Sequence, residues 1–113
     1  MRDESKERSE LLSAIQDLGY ESLRFSIFNE HRPLEWETRI EFNPDSEEYE
    51  VYSTMDRASK GGIFQFKRFE EAEEKFLKNL ELTVFINKAS VENGEITEYS
   101  SPLWDISDEI LSN

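Results

Sequence analysis

"EWETRIEFNPDSEEYEVYST", residues 35–54, decides the fold. Trp36, Thr38, Ile40 and Phe42 alternate with Glu35, Glu37, Arg39 and Glu41, the period of a strand with one face on a core and one in water. Such one-sided strands belong to antiparallel sheets more often than to parallel ones. "NPDSEE" follows with Pro44 in it, a turn. "YEVYST" then resumes alternation with Tyr and Val, residue types that suit a pleated, half-buried surface. The stretch is therefore expected to be a hairpin of two antiparallel strands.

Working outward, "GIFQF" (62–66) adds a strand after the hairpin, and "SLRFSIFN" (22–29) supplies one before it, closed by a turn at "NEHRP". Helical periodicity lies on both flanks. Leu11, Leu12, Ile15 and Leu18 mark a helix over about residues 6–18, stopped by Gly19. Phe69, Ala72, Phe76, Leu77, Leu80 and Val84 mark a longer helix, with Glu70 and Glu71 at its positive end. Its close is ambiguous, because "LTVFIN" (82–87) reads equally well as a strand. Asn93-Gly94 marks a turn, and Pro102 opens a last short helix, about Leu103–Leu111, carrying Trp104, Ile106, Ile110 and Leu111.

The expected architecture is α+β. An N-terminal helix precedes a four-stranded antiparallel sheet, the long helix packs on one sheet face, and a short helix ends the chain. At 113 residues one domain is expected over 1–113, with residues 1–5 and 112–113 outside its ordered part.

Charge narrows the partners. There are 26 acidic residues against 13 Lys and Arg, a net charge of −13. Such a field repels nucleic acid and anionic membranes and attracts basic partners. It is uneven: residues 30–50 hold eight acids and two bases, and residues 79–113 hold seven acids and one base. Between Arg57 and Phe69 there are four bases and no acid. Cysteine is absent, so there is neither a disulfide framework nor a thiolate metal site. No apolar run reaches the roughly 18 residues of a spanning helix, and the first residues lack a signal-peptide core. A soluble cytoplasmic protein, monomeric or weakly dimeric, is expected.

Motifs for chemistry are missing. His31 is the one histidine; it sits in a turn with no nucleophile beside it, and a single His excludes two-His metal sites. In "ASKGGIF" the lysine precedes the glycines and a strand follows. A phosphate loop needs the lysine after the last glycine and a helix next. The Gly pair is better placed as a strand connection. No catalytic residue, cofactor or metal is expected.

The segment "YEVYSTMDRASKGGIFQFKRFEEAEEKFLKNL" resembles small immunity proteins of bacterial polymorphic-toxin systems, through Tyr49, Val51, Tyr52, Arg57, Gly62, Phe66, Ala72, Phe76 and Leu77. The similarity runs over about residues 11–82. It implies a cytoplasmic protein that binds and neutralises a cognate toxin without catalysis. A toxin acting on nucleic acid is commonly basic, and an acidic inhibitor suits it. The expected partner-binding residues are Glu35, Glu37, Glu41, Glu47, Glu48 and Glu50 as a solvent-side ridge, Tyr52 as an aromatic anchor with Trp104 beside it in that role, and Arg57 in the basic loop. The alternative is an acidic secretion chaperone or adaptor for an exported protein, which an uncovered apolar stripe on one helix would favour.

Overall fold

The computed structural model describes residues 2–28, 32–54 and 62–104. Helix α1 spans Glu4–Leu18, followed by strands β1 (Phe25–Ile27), β2 (Thr38–Asn43), β3 (Glu48–Ser53) and β4 (Phe64–Phe66), then helix α2 (Phe69–Glu92). The sheet order is β1-β2-β3-β4.

Each end of α1 has a local cause. The Asp3 carboxylate accepts from the Lys6 amide at 3.1 Å, satisfying one of the donors a first turn leaves free. Gly19 closes the helix at φ 75, in the left-handed region that costs glycine nothing, and its amide reaches back into the last turn. Helix α2 runs unbroken through the ambiguous "LTVFIN", which is helical.

The central hairpin forms as its pattern implies. β2 and β3 pair antiparallel with Ile40 opposite Val51 and Phe42 opposite Tyr49. The turn is made by Asn43, whose Oδ1 accepts the amides of Asp45 and Ser46 at 2.9 and 3.4 Å, and by Glu47 at φ 57. β4 pairs antiparallel with β3.

One expectation is corrected at β1. It runs parallel to β2, with Phe25 opposite Thr38 and Ile27 opposite Ile40, so the sheet is mixed. Parallel strands cannot be joined by a hairpin turn, so the link from β1 to β2 is a crossover. The chain leaves β1 at Phe28, with φ 54, and re-enters β2 after Trp36, with φ 56. Parallel neighbours need a connection long enough to carry the chain back along the strand. The described residues of this connection, 28 and 32–37, form no helix. The crossover is tied at its return by the Arg24 guanidinium donating to the Glu35 carbonyl at 3.1 Å.

One sheet face and both helices enclose the core. Ile27, Ile40, Tyr49 and Val51 from the sheet meet Ala72, Phe76, Leu80 and Val84 of α2, with Leu11 and Ile15 of α1 and Leu23. Trp104 completes this cluster and is fully buried. It donates through Nε1 to the Tyr99 carbonyl at 2.7 Å and stacks edge-on against that ring. The described residues 102–104 form a turn; most of the expected short helix, residues 105–111, lies outside the described residues.

Candidate partner-binding surface

The second face of the sheet carries the charge that alternation assigns to water. Its register places Ser26 beside Arg39, Arg39 beside Tyr52, and Glu41 beside Glu50, with Gln65 next to Glu50. At one end this face is buried. Arg39, Glu37 and Thr54 are essentially inaccessible, and so is Tyr52, at 1% exposure. Arg39 donates to Glu37 Oε1 at 2.5 Å and to Glu41 Oε2 at 2.9 Å, while the Tyr52 hydroxyl donates to the same Glu41 oxygen at 2.9 Å. Glu37 also accepts the Leu34 amide at 3.3 Å, and its own amide donates to the Thr54 hydroxyl at 2.8 Å. The Thr54 hydroxyl in turn donates to the Leu34 carbonyl, so the crossover is fastened to the sheet through this network.

Electrostatics follow from that enclosure. Burial pulls the Arg39 guanidinium down, but hydrogen bonds to Glu37 and Glu41 outweigh it and hold the pKa above its ordinary value. Burial first, then the bond to Glu41, pushes the Tyr52 phenol up to about 12. A network of this kind is satisfied internally and leaves little to offer a partner.

The expected acidic ridge is therefore split. Glu37 and Tyr52 are buried, which corrects their placement on a solvent face; alternation does not distinguish a wet face from one closed over by other chain segments. Trp104, the second expected exposed aromatic, is core. Glu35 is exposed at the return of the crossover. Glu41, Glu48 and Glu50 are partly exposed at the far end of the hairpin, beside the exposed Asp45 and Glu47 of its turn. The structure gathers these last five acids into one acidic hairpin end, away from Glu35. Arg57 and the rest of the basic loop, residues 55–61, lie outside the described residues, as does His31.

Two other features are invisible to strand alternation. Between α1 and α2 runs an open groove of about 600 Å³. Lys6, Glu10, Asp17 and Glu73 supply its charge. Along α2, Leu82, Phe85 and Ile86 stand exposed, Phe85 at 69%. The signal for this stripe is in the sequence: once "LTVFIN" is helical, these residues fall opposite the buried Leu80, Val84 and Asn87. Among the described residues no group of three or more His, Cys, Asp or Glu is arranged to hold a metal ion, and no helix is long and apolar enough to cross a membrane.

Comparison with known proteins gives one result. The model of a family described as Immunity protein 59 matches residues 5–105. It reaches past the stretch, about residues 11–82, that carries the resemblance noted in the sequence, and takes in the segment from Glu95 to Trp104 packed on α2. No curated protein and no solved structure matches the chain.

Proposed function

The chain belongs to the immunity protein 59 family, and on that premise we propose that it protects its host by binding and neutralising a cognate toxin, without catalysis, in the cytoplasm. Family membership is the observation that carries the proposal. The acidic hairpin end, Glu41, Asp45, Glu47, Glu48 and Glu50, is the surface that draws a basic toxin in. Electrostatic complementarity acts mainly on the encounter rate and on rejection of wrong partners. Glu37, Arg39 and Tyr52 serve it indirectly, by fixing Glu41 at the edge of the buried network. Glu35, at the other end of β2, is a separate acidic contact, and Arg57 is a further, basic one.

The test is co-expression with the toxin encoded next to this gene. Rescue of growth together with a purified one-to-one complex is the expected result; growth arrest with no complex removes the proposal.

A second function draws on a specific observation. The uncovered stripe of Leu82, Phe85 and Ile86 suits an acidic chaperone or adaptor that holds an exported polypeptide. The two separate by what is bound: an immunity protein captures the folded toxin domain alone, whereas a chaperone needs the unfolded or secretion-bearing part of the exported chain.

A further inference from the structure

Helix α2 changes character halfway along its outward line. In its first turns that line carries Glu71, Lys75 and Lys78, while the opposite line packs Ala72, Phe76 and Leu80 into the core. From Leu82 onward the outward line is Leu82, Phe85, Ile86 and Ala89, the i, i+3, i+4, i+7 spacing of a helix that lays an apolar face into a groove. The inward line is already occupied, by Val84 and by Asn87, which is bound to Glu98. The stripe is therefore not a misplaced core face: α2 is apolar on two sides here and uses only one.

Among the described residues nothing closes over it. Leu82 is 52% exposed, Phe85 69% and Ile86 45%. By contrast the exposed ring of Phe64, near the start of α2, is covered by the Lys75 ammonium at 4.1 Å. Aromatic anchors dominate hot spots, and with Tyr52 and Trp104 buried, Phe85 takes the part expected of them.

Charge along the stripe says what fits it. At 100° per residue, Glu74, Glu81 and Glu92 line one edge, with Lys88 among them, and all four are exposed. The other edge, Asn79 and Ser90, is uncharged. A complementary partner is an apolar groove with basic side chains along one rim. A second copy of this chain is a poor fit. It would set acidic edge against acidic edge, and three part-exposed side chains per copy fall short of the roughly 1,200 Å² of a stable interface.

We infer that the second half of α2 is the anchor by which the protein holds its toxin: Leu82, Phe85 and Ile86 enter an apolar groove on the toxin, and the Glu81 edge faces basic residues on its rim. This rests on the toxin-binding function proposed above and assigns the lifetime of the complex to α2, leaving the hairpin end to set the encounter rate.

The experiment uses the full chain and the purified toxin encoded beside it, inactivated at its active site. Phe85→Glu and Leu82→Glu alter exposed positions, Ile96→Glu alters an exposed apolar residue off the stripe, and thermal melting checks that each folds. Phe85→Glu is expected to weaken binding about 100-fold, mainly through faster dissociation, with Ile96→Glu unchanged. A photo-crosslinker at position 85 is expected to join to the toxin. Wild-type binding retained within threefold by both stripe variants overturns the inference and leaves the toxin-binding function standing. So does a crosslink only to residues 105–113 of the same chain, or a wild-type dimer that Phe85→Glu turns into a monomer of unchanged toxin affinity. Absence of any complex with the wild-type protein instead removes the toxin-binding function itself.

Discussion

Burial between the helices pushes the Glu73 carboxyl up to about 7, and the facing Glu10 and nearby Glu70 carboxylates push it the same way. Lys6 is the cation lining that groove, and Asp17 adds a further negative charge. The sign of the consequence is fixed by linkage. The folded chain keeps a proton that an unfolded carboxyl, near 4.5, has released, so stability falls as pH rises from about 4.5 to about 7. Glu73→Gln should therefore melt higher than wild type at pH 8, by roughly 4 °C for about 1 kcal/mol after allowing for solvent screening. The gap should close near pH 4.5; an equal gap at both pH values would assign the effect to packing instead. Arg39 makes the opposite case, a buried charge fully paired. Arg39→Met removes the cation that neutralises the buried Glu37 and should cost about 3 kcal/mol in urea unfolding. Adding Glu37→Gln should recover at least ~1 kcal/mol of that, and no recovery would show that packing rather than charge is at stake. Neither environment was legible in the sequence. The alternation puts Glu37 and Arg39 in water, and it says nothing of which carboxylate on α2 faces one on α1.

Among elements, one side chain, Asn87, carries the polar clasp between α2 and the segment after it, beside the apolar packing of Trp104. Asn87 falls on the inward line with Leu80 and Val84, where an amide is costly unless bonded. It donates to the Thr83 carbonyl at 2.8 Å and to Glu98 Oε1 at 3.0 Å, and accepts the Glu98 amide at 2.8 Å. Tyr99 and Ser101 extend the clasp, taking the Arg24 amide at 3.0 Å and meeting the Ser22 hydroxyl at 3.0 Å. Asn87→Ala should cost about 2 kcal/mol, since it leaves the Glu98 amide and carboxylate short of partners. Amide exchange should quicken over residues 95–104 and stay unchanged in α1; uniform quickening would mean that the clasp is no separate unit. Helix α1, the start of α2 and the hairpin were readable because each is specified by its own periodicity and turn or cap signals. The parallel pairing of β1 was not, because direction depends on where the crossover returns, and its ties, Arg24 to Glu35 and Thr54 to Leu34, are contacts distant in sequence.

For the whole molecule, net charge is a kinetic property before it is a structural one. Reversing Glu47, Glu48 and Glu50 to Lys would take the net charge from −13 to about −7 and invert the sign of the hairpin end. Association with a basic toxin should slow about tenfold at low salt, and the difference should vanish near 1 M salt, where screening acts within ~3 Å. An unchanged rate would exclude that end of the molecule. Substitution at Glu37 is no test of this surface, since a buried partner of Arg39 changes the fold before it changes an encounter. The sequence by itself determined the α+β class, helix α1, the first part of α2, the four strands and the acidic field, and a resemblance pointed to the immunity proteins. All but the resemblance reside in local periodicity, turn chemistry and composition, which a single chain states openly. Tertiary structure alone decided which charges are exposed, that Tyr52 and Trp104 are interior, and that Phe85 is not. Exposure is set by what packs against a residue from elsewhere in the chain, and an alternating strand or an apolar helix line looks the same in sequence whether its second face is covered or bare.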